Sequence, residues 1–136
     1  MLPELLNRLA LAAGLILLGL AAYRAIALLS LRRARQQSSS LEQFLPGKPA
    51  ILYFTTPDCA PCKTIQRPAL SRLQERLGEC LQVIEVNAYD QPDLAKRWGV
   101  LSVPTTFILD SHGEPRHVNY GVTTTDTLLD QLSRVK

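Results

Sequence analysis

Between Leu9 and Leu31 the chain reads LALAAGLILLGLAAYRAIALLSL, with Arg24 as the single charge in 23 positions. As a helix this stretch rises about 35 Å, enough to cross a hydrocarbon layer roughly 30 Å thick. Arg24 interrupts it near the C-terminal end, where its long stem can reach the interface beside Tyr23. A cleaved signal peptide ending at Ala25-Ile26-Ala27 and a buried helix of a globular domain are the alternatives. Apolar residues continue past that tripeptide and arginines flank the run, which favours a span. The expected organisation is a membrane anchor over residues 1–34, spanning at about 9–31, a polar linker at 35–40, and one domain over 41–136.

Charge divides along the same line. Residues 1–40 carry five arginines against Glu4, whereas residues 41–136 hold ten basic and eleven acidic side chains. The net charge of +3 therefore belongs to the N-terminal segment, and a near-neutral domain argues against a nucleic-acid partner. Arg8 precedes the run while Arg32, Arg33 and Arg35 follow it, so the positive-inside rule places the domain on the cytoplasmic side.

Within the domain, Ser40-x-x-Gln43 has the form of a capping box and predicts a short opening helix stopped by Pro46-Gly47. AILYFT at 50–55 reads as a buried strand. Ile65, Ala69, Leu70, Leu73 and Leu77 give helical spacing over 60–77, with Pro68 as an internal kink and Gly78 as the stop. LQVIEV at 81–86 alternates as a strand does, and a short helix follows at 92–98. Strands at 105–109 and 117–120 are joined through Asp110-Ser111-His112-Gly113, and the last helix covers 125–135. The order predicts an α/β domain, a central mixed sheet with helices on both faces.

The segment TTPDCAPCK at 55–63 carries the chemistry. Cys59 and Cys62 are a redox couple, half of a metal site, or two buried thiols. Zinc needs about four ligands, and beyond the pair only Cys80, His112 and His117 remain, so no metal is expected. Cys80 reads as a small buried hydrophobe opening a strand, and both histidines as surface residues. The pair lies where a strand gives way to a helix, whose N-terminal N–H groups and partial positive charge favour a thiolate at the first cysteine. Cys59 is then the accessible nucleophile and Cys62 the sheltered resolving thiol, with Pro61 suited to the first turn.

A strand, then C-x-P-C-K, then a long helix with an internal proline, and later Val103-Pro104-Thr105 opening a strand, resembles the thioredoxin family. Trp98-Gly99-Val100, Val86-Asn87 and Gly121 also match. The resemblance implies a thioredoxin-like fold over 41–136, a cis Val103-Pro104 bond, and substrate contacts at Val103, Pro104 and Pro61. It implies disulfide-bearing protein substrates, a dithiol reductant or reductase as recycling partner, and no cofactor beyond the redox-active pair. Ala-Pro between the cysteines is close to the Gly-Pro of reducing members, which favours a reductase.

Two departures concern the chemistry. Asp58 stands where the family usually has tryptophan, so that Asp58 and Lys63 are the charges expected to adjust the Cys59 pKa. Tyr53 occupies the position of the family's buried aspartate, and Glu85 lies on the next strand. Glu85, hydrogen-bonded to Tyr53, is the expected proton acceptor for Cys62; the competing reading leaves Glu85 facing solvent. Two other functions fit the residues less well: a thioredoxin-like binding module for a membrane partner, and an exported factor in cytochrome or envelope-protein maturation.

Overall fold

The computed structural model describes residues 1–37 and 41–135. Its sheet has the order β2-β1-β3-β4, formed by β1 (Ala50–Thr55), β2 (Gln82–Asn87), β3 (Thr105–Leu109) and β4 (Pro115–Tyr120). β1 pairs in parallel with β2 and antiparallel with β3, which pairs antiparallel with β4. Every residue of β1 is buried, as a central strand covered on both faces requires.

Alternation along β1 sends its side chains to two separate cores. Ile51 and Tyr53 pack with Leu70, Leu73, Leu128 and Leu132 beneath α2 (Arg67–Leu77) and α4 (Thr125–Ser133). Leu52 and Phe54 pack on the opposite face with Phe107 and with Ala95 and Trp98, which belong to α3 (Pro92–Arg97) and the residue that follows it. Phe107 meets both Phe54 and Trp98 edge to face, at centroid distances of 5.9 and 5.1 Å.

The N-terminal segment forms one helix, α1, from Leu2 to Gln37, longer at both ends than the expected span. Residues 1–26 are exposed, and the helix is long and apolar enough to cross a membrane. Its C-terminal third, expected in the membrane and linker, instead packs on the domain. Ser30 and Ala34 are buried there, Ala34 within the core that contains Trp98 and Phe107. Arg35 and Gln36 continue the helix where a linker was expected.

Two local expectations, the opening helix and the burial of Cys80, are corrected, and the place of Pro68 is made specific. The opening helix does not form over 41–47, and Ser40 lies outside the described residues. Leu41 to Phe44 make a turn, and the backbone N–H and C=O of Leu45 are satisfied by the Gln82 side chain at 2.9 and 2.7 Å, so no helical partners are needed. Pro68 is accommodated by a π-turn over Cys62–Gln66, in which the Arg67 N–H reaches back five residues to the Cys62 carbonyl. The wider turn makes room for a ring that would otherwise press on the carbonyl four residues earlier. Cys80 is exposed, because a 3-10 turn over Gly78–Cys80 interrupts the alternation and Leu81 takes the buried place.

Candidate functional site

The cysteine pair follows directly from the end of β1. Pro57 and Asp58 turn the chain, the Cys59 N–H bonds the Thr56 carbonyl at 3.2 Å, and helix begins at Ala60. Cys59 and Cys62 are joined as a disulfide with Cα atoms 5.3 Å apart. Cys62 is fully buried, and Cys59 retains 9% of its surface, so an incoming sulfur meets Cys59 first. The Cys62 N–H donates to Cys59 Sγ at 3.2 Å. A donor already aimed at that sulfur favours its charged form once the pair is reduced, in the same sense as the helix N-terminus.

The Val103-Pro104 bond is cis. Val103 packs against the cluster that holds both cysteines, so the proline loop and the disulfide share one end of the sheet. The loop is held by the Gly121 N–H, which donates to the Pro104 carbonyl at 2.8 Å, and by the Thr105 hydroxyl, which donates to the Ser102 carbonyl at 2.6 Å. Pro61 is exposed beside the pair, and Pro104 is buried.

Asp58 is exposed and accepts a hydrogen bond from the Tyr89 hydroxyl at 2.9 Å. Hydrogen bonds from the Thr56 side chain, from Tyr89 and from its own backbone hold its carboxyl below the usual range, with Lys63 adding attraction. It is therefore a standing negative charge one residue before Cys59. The same hydrogen bond and charge push the Tyr89 hydroxyl up.

Tyr53 and Glu85 are partners in the β1–β2 register but do not form the expected hydrogen bond. The Tyr53 hydroxyl donates to the Cys62 carbonyl at 3.2 Å, and Glu85 instead accepts from Arg67 at 2.7 Å, with both members of that ion pair about half exposed. Burial raises the Tyr53 pKa; the Thr55 side chain opposes this, Glu85 adds to it, and Arg67 opposes it weakly. Lys63, Arg67, Glu85 and Asn87 line an open depression of about 270 Å³ next to the cysteine turn.

Sequence reasoning missed Gln66. Its fully buried amide donates to the Thr123 carbonyl at 3.2 Å and accepts from the Thr123 N–H at 2.8 Å, tying the cysteine turn to the segment after Gly121. The available signal was its place one helical turn after Cys62, on the face that continues through Leu70 and Leu73. His117, expected at the surface, is half-buried. Burial first, and then Arg134, lower its pKa.

The sequence pattern of the Thioredoxin family matches residues 34–134. Over 108 residues the chain is 29% identical to Thioredoxin Y, chloroplastic, of Oryza sativa subsp. japonica, covering 78% of this chain and 63% of that one. It is 34% identical over 56 residues to a thioredoxin of Bacillus subtilis, covering 41% of this chain and 53% of that one. The matches therefore span less than two thirds of these two relatives. A thioredoxin-like protein of Synechocystis is 28% identical over 100 residues, 72% of this chain and 93% of its own. Among solved structures, thioredoxin-2 of the malaria parasite superposes with a TM-score of 0.62 at 20% identity, covering 67% of this chain and 86% of that one. A mutant thioredoxin of Halobacterium salinarum gives 0.58 at 24% identity, covering 65% and 75%. At these identities the structures speak for the fold.

Proposed function

Since this chain belongs to the thioredoxin family, we propose that it is a membrane-tethered protein-disulfide reductase acting through the Cys59–Cys62 dithiol. A thioredoxin domain with this pair is a thiol–disulfide oxidoreductase in general terms; the reducing direction and the tether are our reading. The observation that carries it is the Cys62 N–H aimed at Cys59 Sγ at the start of a helix.

In the reduced protein the Cys59 thiolate attacks one sulfur of a substrate disulfide, forming a mixed disulfide and releasing the other sulfur as a thiolate that takes a proton. Cys62 loses its proton and attacks Cys59 Sγ, which re-forms the intramolecular disulfide and releases the second substrate thiol. Two electrons and two protons pass to the substrate, and an external dithiol returns them to the pair. No cofactor besides the pair is required. Val103, Pro104 and Pro61 flank the attacking sulfur and receive the substrate chain.

Glu85 is the proposed proton acceptor for Cys62, working through water in the depression it lines, with Arg67 holding its carboxylate in place and Tyr53 fixing the Cys62 backbone. Asp58 and Lys63 set the field at Cys59 from opposite signs. Four arginines from Arg24 to Arg35 against Arg8 before the apolar run support a cytoplasmic domain, which a reporter fused after Lys136 tests. The activity test is reduction of a peptide disulfide by the full chain recycled with dithiothreitol. Cys59→Ser abolishes turnover on this reading, and turnover that survives the substitution sinks it.

A further inference from the structure

The direction in which α1 crosses the domain fixes which end of the domain faces the apolar half of that helix. Tyr23 stacks edge to face on Tyr120 with centroids 6.4 Å apart, and farther along the helix Ser30 hydrogen-bonds the Tyr120 hydroxyl. Ser30 also lies against Gly99, where an added Cβ would meet Ser30 Oγ at 3.2 Å. Ala34 then enters the core of that face, and Arg35 lines a cavity with Asp110 and His112, which follow Leu109 at the end of β3.

Tyr120 pairs with Thr105, and Thr105 with Phe54, so these three mark the end of the sheet that carries the cysteines. Ala50 pairs with Leu109 at the other end. α1 therefore runs from the cysteine end toward the far end, and its N-terminal stretch projects beyond the cysteines. Leu9 to Tyr23 rises about 22 Å, and Arg8 and Arg24 bracket it with stems that can reach headgroups on either side. Tyr23 then sits at the interface level that tyrosine favours. Tyr120 is followed by Gly121, whose N–H holds the Pro104 carbonyl, so the substrate loop lies next to that level.

Exposed apolar side chains give an independent indication. Beyond α1, the large exposed hydrophobic residues among those described are Leu45, Ile65, Tyr89, Leu101 and Val122. Tyr89 follows β2, Leu101 precedes Pro104 and Val122 follows Gly121, all on loops at the cysteine end; Ile65 lies in the cysteine turn, and only Leu45 is at the far end. An apolar rim around a near-neutral domain, on the side from which a membrane helix emerges, is matched by the headgroup and upper acyl region of the same bilayer.

We propose that the cysteine end of the domain is held against the bilayer that α1 enters, and that its substrates are disulfides of membrane-inserted chains lying at headgroup level. This rests on the reading of α1 as a membrane span, shortened at its C-terminal end from the expected 9–31.

The test reconstitutes the full chain in phosphatidylcholine–phosphatidylglycerol vesicles containing lipids spin-labelled at the headgroup or at mid-chain. Single substitutions Leu15→Trp, Leu101→Trp, Val122→Trp and Leu45→Trp are compared with wild type, whose buried Trp98 supplies the background. Mid-chain label quenches Leu15→Trp, headgroup label quenches Leu101→Trp and Val122→Trp, and neither label quenches Leu45→Trp. An unquenched Leu15→Trp overturns the span, and the orientation with it. Quenching at position 15 with none at 101 and 122, or with equal quenching at 45, overturns the orientation alone. In the same vesicles, a helix-anchored peptide disulfide next to the membrane is reduced about tenfold faster than one raised on a rigid helical spacer of about 30 Å. Equal rates overturn the substrate assignment.

Discussion

Replacing Gln66 with leucine removes the one side chain that serves both backbone groups of Thr123. Both residues are buried, so the Thr123 N–H and C=O lose their partners without gaining access to water. Each orphaned group costs about 1–3 kcal/mol, or about 2–6 kcal/mol together. The apolar replacement returns about 1.5–3 kcal/mol through its own burial. The net expectation is a loss of about 1–3 kcal/mol, a large share of the roughly 5–15 kcal/mol typical of a domain. With a urea dependence of about 1–3 kcal/mol per molar, the midpoint falls by roughly 1 M. The fluorescence of Trp98, the single tryptophan and fully buried, reports the transition in the full chain in detergent. Because Thr123 follows the Gly121 that holds the Pro104 carbonyl, KM for a peptide disulfide rises while alkylation of Cys59 is unchanged. A midpoint equal to or above wild type refutes the reasoning, since it would mean that Thr123 finds other partners at no cost.

Asp58→Asn removes a carboxylate that is ionised at neutral pH, so the Cys59 thiolate is favoured and the pH midpoint of iodoacetamide alkylation moves down; an upward or absent shift contradicts the role given to Asp58. Glu85→Gln alters the pH dependence of disulfide reduction by the pair, and an unchanged profile removes Glu85 from proton transfer. The lowered pKa of His117 means that the unfolded chain takes up its proton first, near 6.5. Its contribution is complete above that value and stability falls as pH drops below it, so His117→Gln flattens the urea midpoint against pH between about 7 and 5.

What the sequence made legible was whatever rests on local pattern. AILYFT is continuous and β-branched because β1 is covered on both faces, and the C-x-x-C between that strand and a helix announces its own chemistry. The family resemblance supplied the cis Val103-Pro104 loop. The docking of α1 was not legible, because Ser30 and Ala34 are as acceptable in a membrane helix as against a protein surface, and their partners Gly99 and Tyr120 lie far along the chain. Nor does side-chain spacing distinguish a π-turn from an α-turn over five residues at Cys62–Gln66. Cys80 departs from expectation because strand alternation begins only at Gln82, two residues after it. At the site, the Tyr53–Glu85 adjacency came from the family resemblance, and the β1–β2 register bears it out. Their separate partners, the Cys62 carbonyl and Arg67, depend on the path of the turn.

The central claim is that Cys59 is the sulfur that meets substrate and Cys62 the one that releases it. Its most direct test incubates reduced Cys62→Ser protein with a peptide disulfide and maps the covalent product by mass spectrometry. The account predicts a stable mixed disulfide on Cys59, absent from wild type after turnover. An adduct confined to the exposed Cys80, or none at all while the fold is intact, would contradict it.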